Sequence, residues 1–175
     1  KEEDVALKII PHDGVSDLKK SLPRKLRGWA NDKARFLVIR DNDRGNCKER
    51  KLELEKICEE FGKNKIVKIR IVCQELEAWY IGDLHAIYSA GFAKKAVLKK
   101  QNRGKYSDPD QIERPIEALN GITIESIDVK TQKLMFSESV APNMNVEGNL
   151  SISFQQTVLA MKSLLNELNL PKKRS

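Results

Sequence analysis

Ala34-Arg-Phe-Leu-Val-Ile39, the polar loop Arg40-Asp-Asn-Asp-Arg-Gly-Asn46, the helix-like stretch Cys47 to Phe61 and Ile66-Val-Lys-Ile-Arg-Ile-Val-Cys73 together decide the fold. The first and last pieces are short, apolar and β-branched, as strands are. Between them Leu54, Ile57, Cys58 and Phe61 recur at i, i+3, i+4 and i+7, which makes one apolar helix face. Gly62 follows where a helix C′ residue belongs. Strand, helix, strand over this span is a βαβ unit, so a parallel sheet with a right-handed crossover is expected.

Upstream, Val5-Ala-Leu-Lys-Ile-Ile10 reads as a further strand closed by the turn Pro11-His12-Asp13-Gly14. Ser16 opens a basic helical stretch, Asp17 to Trp29, which Pro23 is expected to break or restart. Downstream of Gln74 the pattern changes to short helices over 75–80, 83–90, 92–100 and 112–120, with a polar loop over 103–109. A last long helix runs over 154–168. Ser153 and Gln156 are spaced as its capping box, and Phe154, Val158, Met161, Leu165 and Leu168 lie on one face. The expectation is one domain over residues 1–175, with a βαβ-type core over 1–74 and a mostly helical continuation over 75–175.

A chain of 175 residues can bury a real core, and 40% hydrophobic with 33% charged residues is a globular composition. No apolar run approaches the roughly 20 residues that cross a bilayer, so no membrane partner is expected. Cys47, Cys58 and Cys73 are an odd number with no CxxC spacing, which points to a reducing cytoplasm and to three small buried hydrophobes. The net charge of +7 leans toward polyanionic partners.

Chemistry concentrates at the strand ends. Strand 36–39 delivers Asp41 and Asp43, and the next strand delivers Glu75 and Glu77, all at the carboxyl edge where open α/β sheets hold their ligands. Residues i and i+2 of an extended segment share a side, so Asp41 and Asp43 can converge on a hard cation such as Mg²⁺ or Mn²⁺. Four clustered carboxylates repel unless a cation neutralises them. The plainer alternative is that these acids populate loops and helix N-termini. Arg40 and Arg44 bracket the aspartates and suit phosphate, or pair with the carboxylates. His12 is a candidate general base or phosphate contact, or a locally bonded turn residue. Lys20, Arg24 and Lys25, in a basic run with Lys19 and Arg27, could track a phosphate backbone or form a solvated face. A second run from Lys94 to Lys105 beside Tyr106 allows the same two readings. Trp79 and Tyr80 read as core.

Ile10-Pro-His-Asp-Gly-Val-Ser-Asp-Leu18, Ser21-Leu-Pro-Arg-Lys-Leu26, Val38-Ile-Arg-Asp-Asn-Asp43 with Cys47, and Cys73-Gln-Glu-Leu-Glu-Ala-Trp-Tyr-Ile-Gly-Asp83 resemble the bacterial family named domain of unknown function 4276, a relative of the Toprim fold. Tyr106-Ser-Asp-Pro109, Ala141-Pro142 and Asn149-Leu-Ser-Ile-Ser-Phe154 resemble it too. The resemblance implies a Toprim-like (Rossmann-like), mostly parallel sheet flanked by helices. It implies a Mg²⁺-dependent nuclease subunit with Asp41, Asp43 and Glu75 as metal ligands and Glu75 and Glu77 as candidates for general base. It further implies DNA or RNA as substrate, and an AAA/ABC-type ATPase partner in anti-phage defence, with oligomerisation possible. A first strand carrying a glutamate is also implied, ahead of Val5–Ile10. Only Glu2, Glu3 and Asp4 stand there, and Lys1 is not a methionine, so that strand is expected to be missing from this chain. Two rival expectations are a haloacid-dehalogenase-type phosphatase, with Asp41 as nucleophile and Asp43 as acid, and a non-catalytic assembly or sensor subunit.

Overall fold

The computed structural model describes residues 5–31 and 33–169. Helix α1 (Gly14–Gly28) leads into strand β1 (Phe36–Asp41), helix α2 (Cys47–Glu60) and strand β2 (Val67–Val72). Then come α3 (Glu77–Ile81), α4 (Leu84–Ser89), α5 (Pro115–Asn120), α6 (Lys133–Val140) and α7 (Ile152–Asn169). The expected βαβ unit is present: β1 and β2 pair in parallel, with Phe36 opposite Val67 and Asp41 opposite Val72. Gly62 ends α2 at φ +62°, the left-handed value a C′ residue needs.

Strand alternation sorts the side chains. Val38, Val67 and Ile69 pack under α1 and α2 with Leu18, Leu22, Leu26, Leu54 and Cys58. Arg40 shares that face, buried and paired with Glu53 of α2 at 3.6 Å. Lys68 and Arg70 of β2 face α7 instead, where Lys68 meets Glu167 and Arg70 Nε donates to the Gln156 carbonyl at 2.9 Å. A second core lies in the helical half, around Tyr80, Ile81, Leu84, Ile87, Leu119 and Phe136.

Several expectations need correction. Among the described residues the sheet has two strands, so it is α/β but small. Val5–Ile10 is not a strand: Val5, Leu7 and Ile9 are exposed, and among the described residues the segment pairs with no strand that would complete its hydrogen bonds. Glu2, Glu3 and Asp4 lie outside the described residues. Pro23 does not break α1, which runs unbroken through it. The buried face of Leu18, Leu22 and Leu26 holds the helix against α2 despite the missing N–H. The 92–100 helix is a 3₁₀ segment over Lys95–Lys100, and the 103–109 loop contains a 3₁₀ turn over Gly104–Ser107.

α7 starts two residues earlier than its expected capping box. Ser151 is the cap, its Oγ accepting from the Phe154 N–H at 3.1 Å. Ser153 is committed elsewhere: its N–H donates to Asp110 Oδ2 at 2.7 Å and its Oγ to Asp110 Oδ1 at 3.1 Å. The buried face of α7 is Ser153, Thr157, Ala160 and Leu164, while Met161 and Leu165 are exposed. Small side chains let the helix approach the polar face of β2, and that close approach overrides the apolar stripe.

Candidate metal and phosphate site at the strand ends

Two parallel strands end at one edge, and backbone hydrogen bonds carry the pairing past their last residues. Asn42 N–H donates to the Val72 carbonyl at 2.9 Å and Asp43 N–H to the Gln74 carbonyl at 3.3 Å. The chain then turns sharply. Asp43 (φ 49°), Arg44 (φ 59°) and Gln74 (φ 63°) all sit in the left-handed region, which costs a non-glycine residue about 1–2 kcal/mol. Such strain persists where surrounding contacts over-determine the backbone, and it clusters at functional sites. Here Asn42 Nδ2 donates to the Gly45 carbonyl at 2.7 Å. Asn46 Oδ1 caps α2 by accepting from Lys48 and Glu49 N–H at 3.0 and 3.3 Å. Gly45 leaves room for the Arg50 guanidinium, which an added Cβ would strike at 2.2 Å.

Asp41 follows Arg40 on the strand and therefore points to the opposite face, away from α2 and toward the helical half. Its carboxyl is pushed up from 3.8 to about 6, first by burial, then by the negative charges of Glu77, Asp43 and Glu75. The other three predicted carboxylates thus all act on Asp41. Asp43, at φ 49°, has left the extended region, so alternation does not set its direction; it is exposed and lines a cleft of about 290 Å³ with Arg44, Gln74 and Glu75. Gln74 Oε1 and Asn42 Oδ1 are buried oxygens without a hydrogen-bond partner among the described residues. Glu77 is buried at the start of α3 and meets the Lys133 ammonium at 2.7 Å. That ammonium is raised by its hydrogen bond to Glu77, with further help from the Glu75 and Asp41 charges, and it lowers Asp41 in return. Among the described residues, no three acidic, histidine or cysteine side chains are gathered closely enough to hold a metal ion as they stand.

Lys133 was invisible to sequence reasoning. It opens α6, a helix not anticipated from the sequence, although Phe136 and Val140, four residues apart, carried a helical signal. Apart from Arg44, the remaining candidates lie away from the cluster. His12 Nδ1 is engaged by Asp17 Oδ2 at 3.0 Å and Ser21 Oγ at 2.9 Å, the local turn network expected of a structural histidine. Lys20 and Arg24 are exposed on α1 and Lys25 is half-buried there. Arg40 is sequestered under α2; only Arg44 of the two bracketing arginines reaches the cleft. Lys100 and Lys105 lie over the Tyr106 ring at 5.7 and 5.3 Å, which gives part of the second basic run a packing role. Trp79 and Tyr80 are packing residues, edge-on to Phe154 and Phe136.

A model of the family described as domain of unknown function 4276 matches residues 7–162. The chain belongs to that family. Every stretch quoted above for the resemblance falls within the match, including the Asp41–Asp43 loop and the Glu75–Glu77 block. No curated protein and no solved structure matches the chain. Among the described residues, no helix is long and apolar enough to cross a membrane.

Proposed function

We propose that this member of the family is a Toprim-like, Mg²⁺- or Mn²⁺-dependent nuclease subunit that hydrolyses DNA or RNA phosphodiesters. The observation that carries the reading is the repulsion that Glu77, Asp43 and Glu75 exert on Asp41 at the carboxyl ends of two parallel strands. Carboxylate and amide oxygens suit a hard divalent cation, and the unpartnered Gln74 Oε1 beside the cleft adds a neutral oxygen donor. Asp41, Asp43 and Glu75 would hold the ion, which when bound would polarise a phosphate and activate water. Arg44, at the cleft, is placed to pair with a phosphate oxygen. Glu77, ion-paired with Lys133 at 2.7 Å, is the candidate to accept a proton from the attacking water. The exposed Lys20 and Arg24 offer sequence-independent contacts to a strand. An AAA/ABC-type ATPase partner in anti-phage defence rests on the family resemblance alone.

Calorimetric titration of Mg²⁺ and Mn²⁺ into the parent and into Asp41→Ala/Asp43→Ala tests this directly, paired with cleavage assays on single-stranded DNA and RNA. Binding that disappears in the double variant is the expected result. Equal binding, or none by either protein in the presence of nucleic acid, overturns the metal reading.

The second reading is a non-catalytic assembly or sensor subunit. The Lys133–Glu77 ion pair favours it, because the cluster already carries a built-in cation. Nucleic-acid binding unchanged by the double variant, without cleavage, is its signature.

A further inference from the structure

Cys47 and Cys73 were expected to be inert buried hydrophobes, and only Cys58 fits that description, at 1% exposure in the α1–α2 core. Cys47 and Cys73 are both half-buried and their sulfurs lie 3.9 Å apart. Twenty-six positions separate them in sequence, so the βαβ crossover alone brings them together. The frame on either side is fixed. Cys73 sits between the two backbone hydrogen bonds that tie Asn42 to Val72 and Asp43 to Gln74, and Cys47 opens α2 directly after the Asn46 cap.

We propose that Cys47 and Cys73 are a reversible modification site that closes to an intramolecular disulfide when the protein meets a peroxide. Closing the bond brings the sulfurs to about 2.0 Å, a small approach for two side chains on a held backbone. In the first step one sulfur attacks the peroxide O–O bond and becomes a sulfenic acid, releasing water when hydrogen peroxide is the oxidant. In the second, the other sulfur displaces the sulfenic hydroxyl as water and the S–S bond forms. One peroxide is reduced to two waters while two thiols are oxidised. The bond would cross-link the start of α2 to the segment just after β2, between the turns that carry Asp43 and Glu75. The proposal stands on the thiol geometry and is independent of the metal reading.

The test treats the folded, reduced chain with hydrogen peroxide, alkylates in denaturant and maps tryptic peptides. The expected product links the peptide over 45–48 to that over 71–94, two hydrogens lighter than their sum, with Cys58 still alkylated. Dithiothreitol should restore both free thiols, and Cys58→Ser should form the same link. Three fully alkylated cysteines after oxidation overturn the proposal. So do a bridge that includes Cys58, a bridge between molecules, or accumulation of sulfinic acid at Cys47 and Cys73 in place of the bond.

Discussion

The βαβ half and the helical half build their cores by different means. In the first, Leu18, Leu22 and Leu26 recur every four residues along α1, and Val67 and Ile69 every two along β2. Each element is long enough to repeat its period, so each makes its own apolar face. The second half assembles its core from pieces of about five to eight residues joined by 3₁₀ turns. No such piece is stable alone, and contacts between pieces supply what periodicity does not.

A buried polar network does much of that joining. Asp110 accepts from Ser151 Oγ at 2.7 Å and from Ser153. Trp79 Nε1 donates to Ser153 Oγ at 2.8 Å, and Asn149 Nδ2 to the Trp79 carbonyl at 2.8 Å. Thus the 149–154 segment, 3₁₀ turn 109–111 and α3 are locked together just behind the candidate site. Satisfied networks of this kind specify one arrangement and fail abruptly when one member is lost.

The sharpest way to break the comparison is to hollow out each core separately. Phe136→Ala and Leu54→Ala, both at fully buried positions, are expected to cost about 3–5 and 2–5 kcal/mol. If the halves fold as one unit, urea unfolding followed by circular dichroism and by tryptophan fluorescence will show one coincident transition in both variants. A second transition confined to the helical half in Phe136→Ala would mean that the two cores are separately cooperative.

Next in size is Gly82→Ala. An added Cβ would lie 2.0 Å from Asn149 Oδ1, the oxygen that accepts from the Ser151 N–H. Displacing Asn149 is expected to cost about 2–3 kcal/mol, measured by chemical denaturation. A loss under about 0.5 kcal/mol would show that the network is dispensable.

Asp41 gives a smaller effect of opposite sign. Its folded pKa of about 6 lies above the unfolded 3.8, so the native state binds more protons between those values. Stability therefore falls as pH rises through about 4 to 6 and stays low at neutral pH. Asp41→Asn removes that loss and is expected to stabilise the metal-free protein by about 1–2 kcal/mol at pH 7, after allowance for partial exposure. Denaturation midpoints at pH 4 and pH 7 check the sign. Asp41→Asn that destabilises at pH 7 would contradict the repulsive cluster.

Smallest is Lys133→Met. The lysine is more than half exposed, so losing its pair with Glu77 is expected to cost under about 1 kcal/mol. Its clearer effect is to drive the Asp41 carboxyl higher, because a positive neighbour is lost; proton titration followed by carboxyl NMR reads this. An unmoved Asp41 would separate α6 from the site.

How much could be read in advance follows from these differences. The βαβ unit, the Gly62 stop and the placement of Asp41, Asp43, Glu75 and Glu77 near one edge of the strand pair were legible, because period and strand-end position are local properties. Val5–Ile10 misled because β-branched alternation records a preference for a neighbour and not its presence. Arg40 misled for a related reason: adjacent strand residues point to opposite faces, so it shares a strand with Asp41 but not a site. The apolar stripe of α7 misled because a polar sheet face selected its small residues for contact.

By itself, then, the sequence determined the family, the parallel strand pair and which acids stand near its edge. The tertiary structure alone decided that Lys133 enters that cluster, that Arg40 leaves it, and that Cys47 meets Cys73. Those three outcomes depend on which faces pack together and on side chains far apart in the chain. No short-range pattern encodes such pairings, because the energy that selects them arises only once both cores are closed.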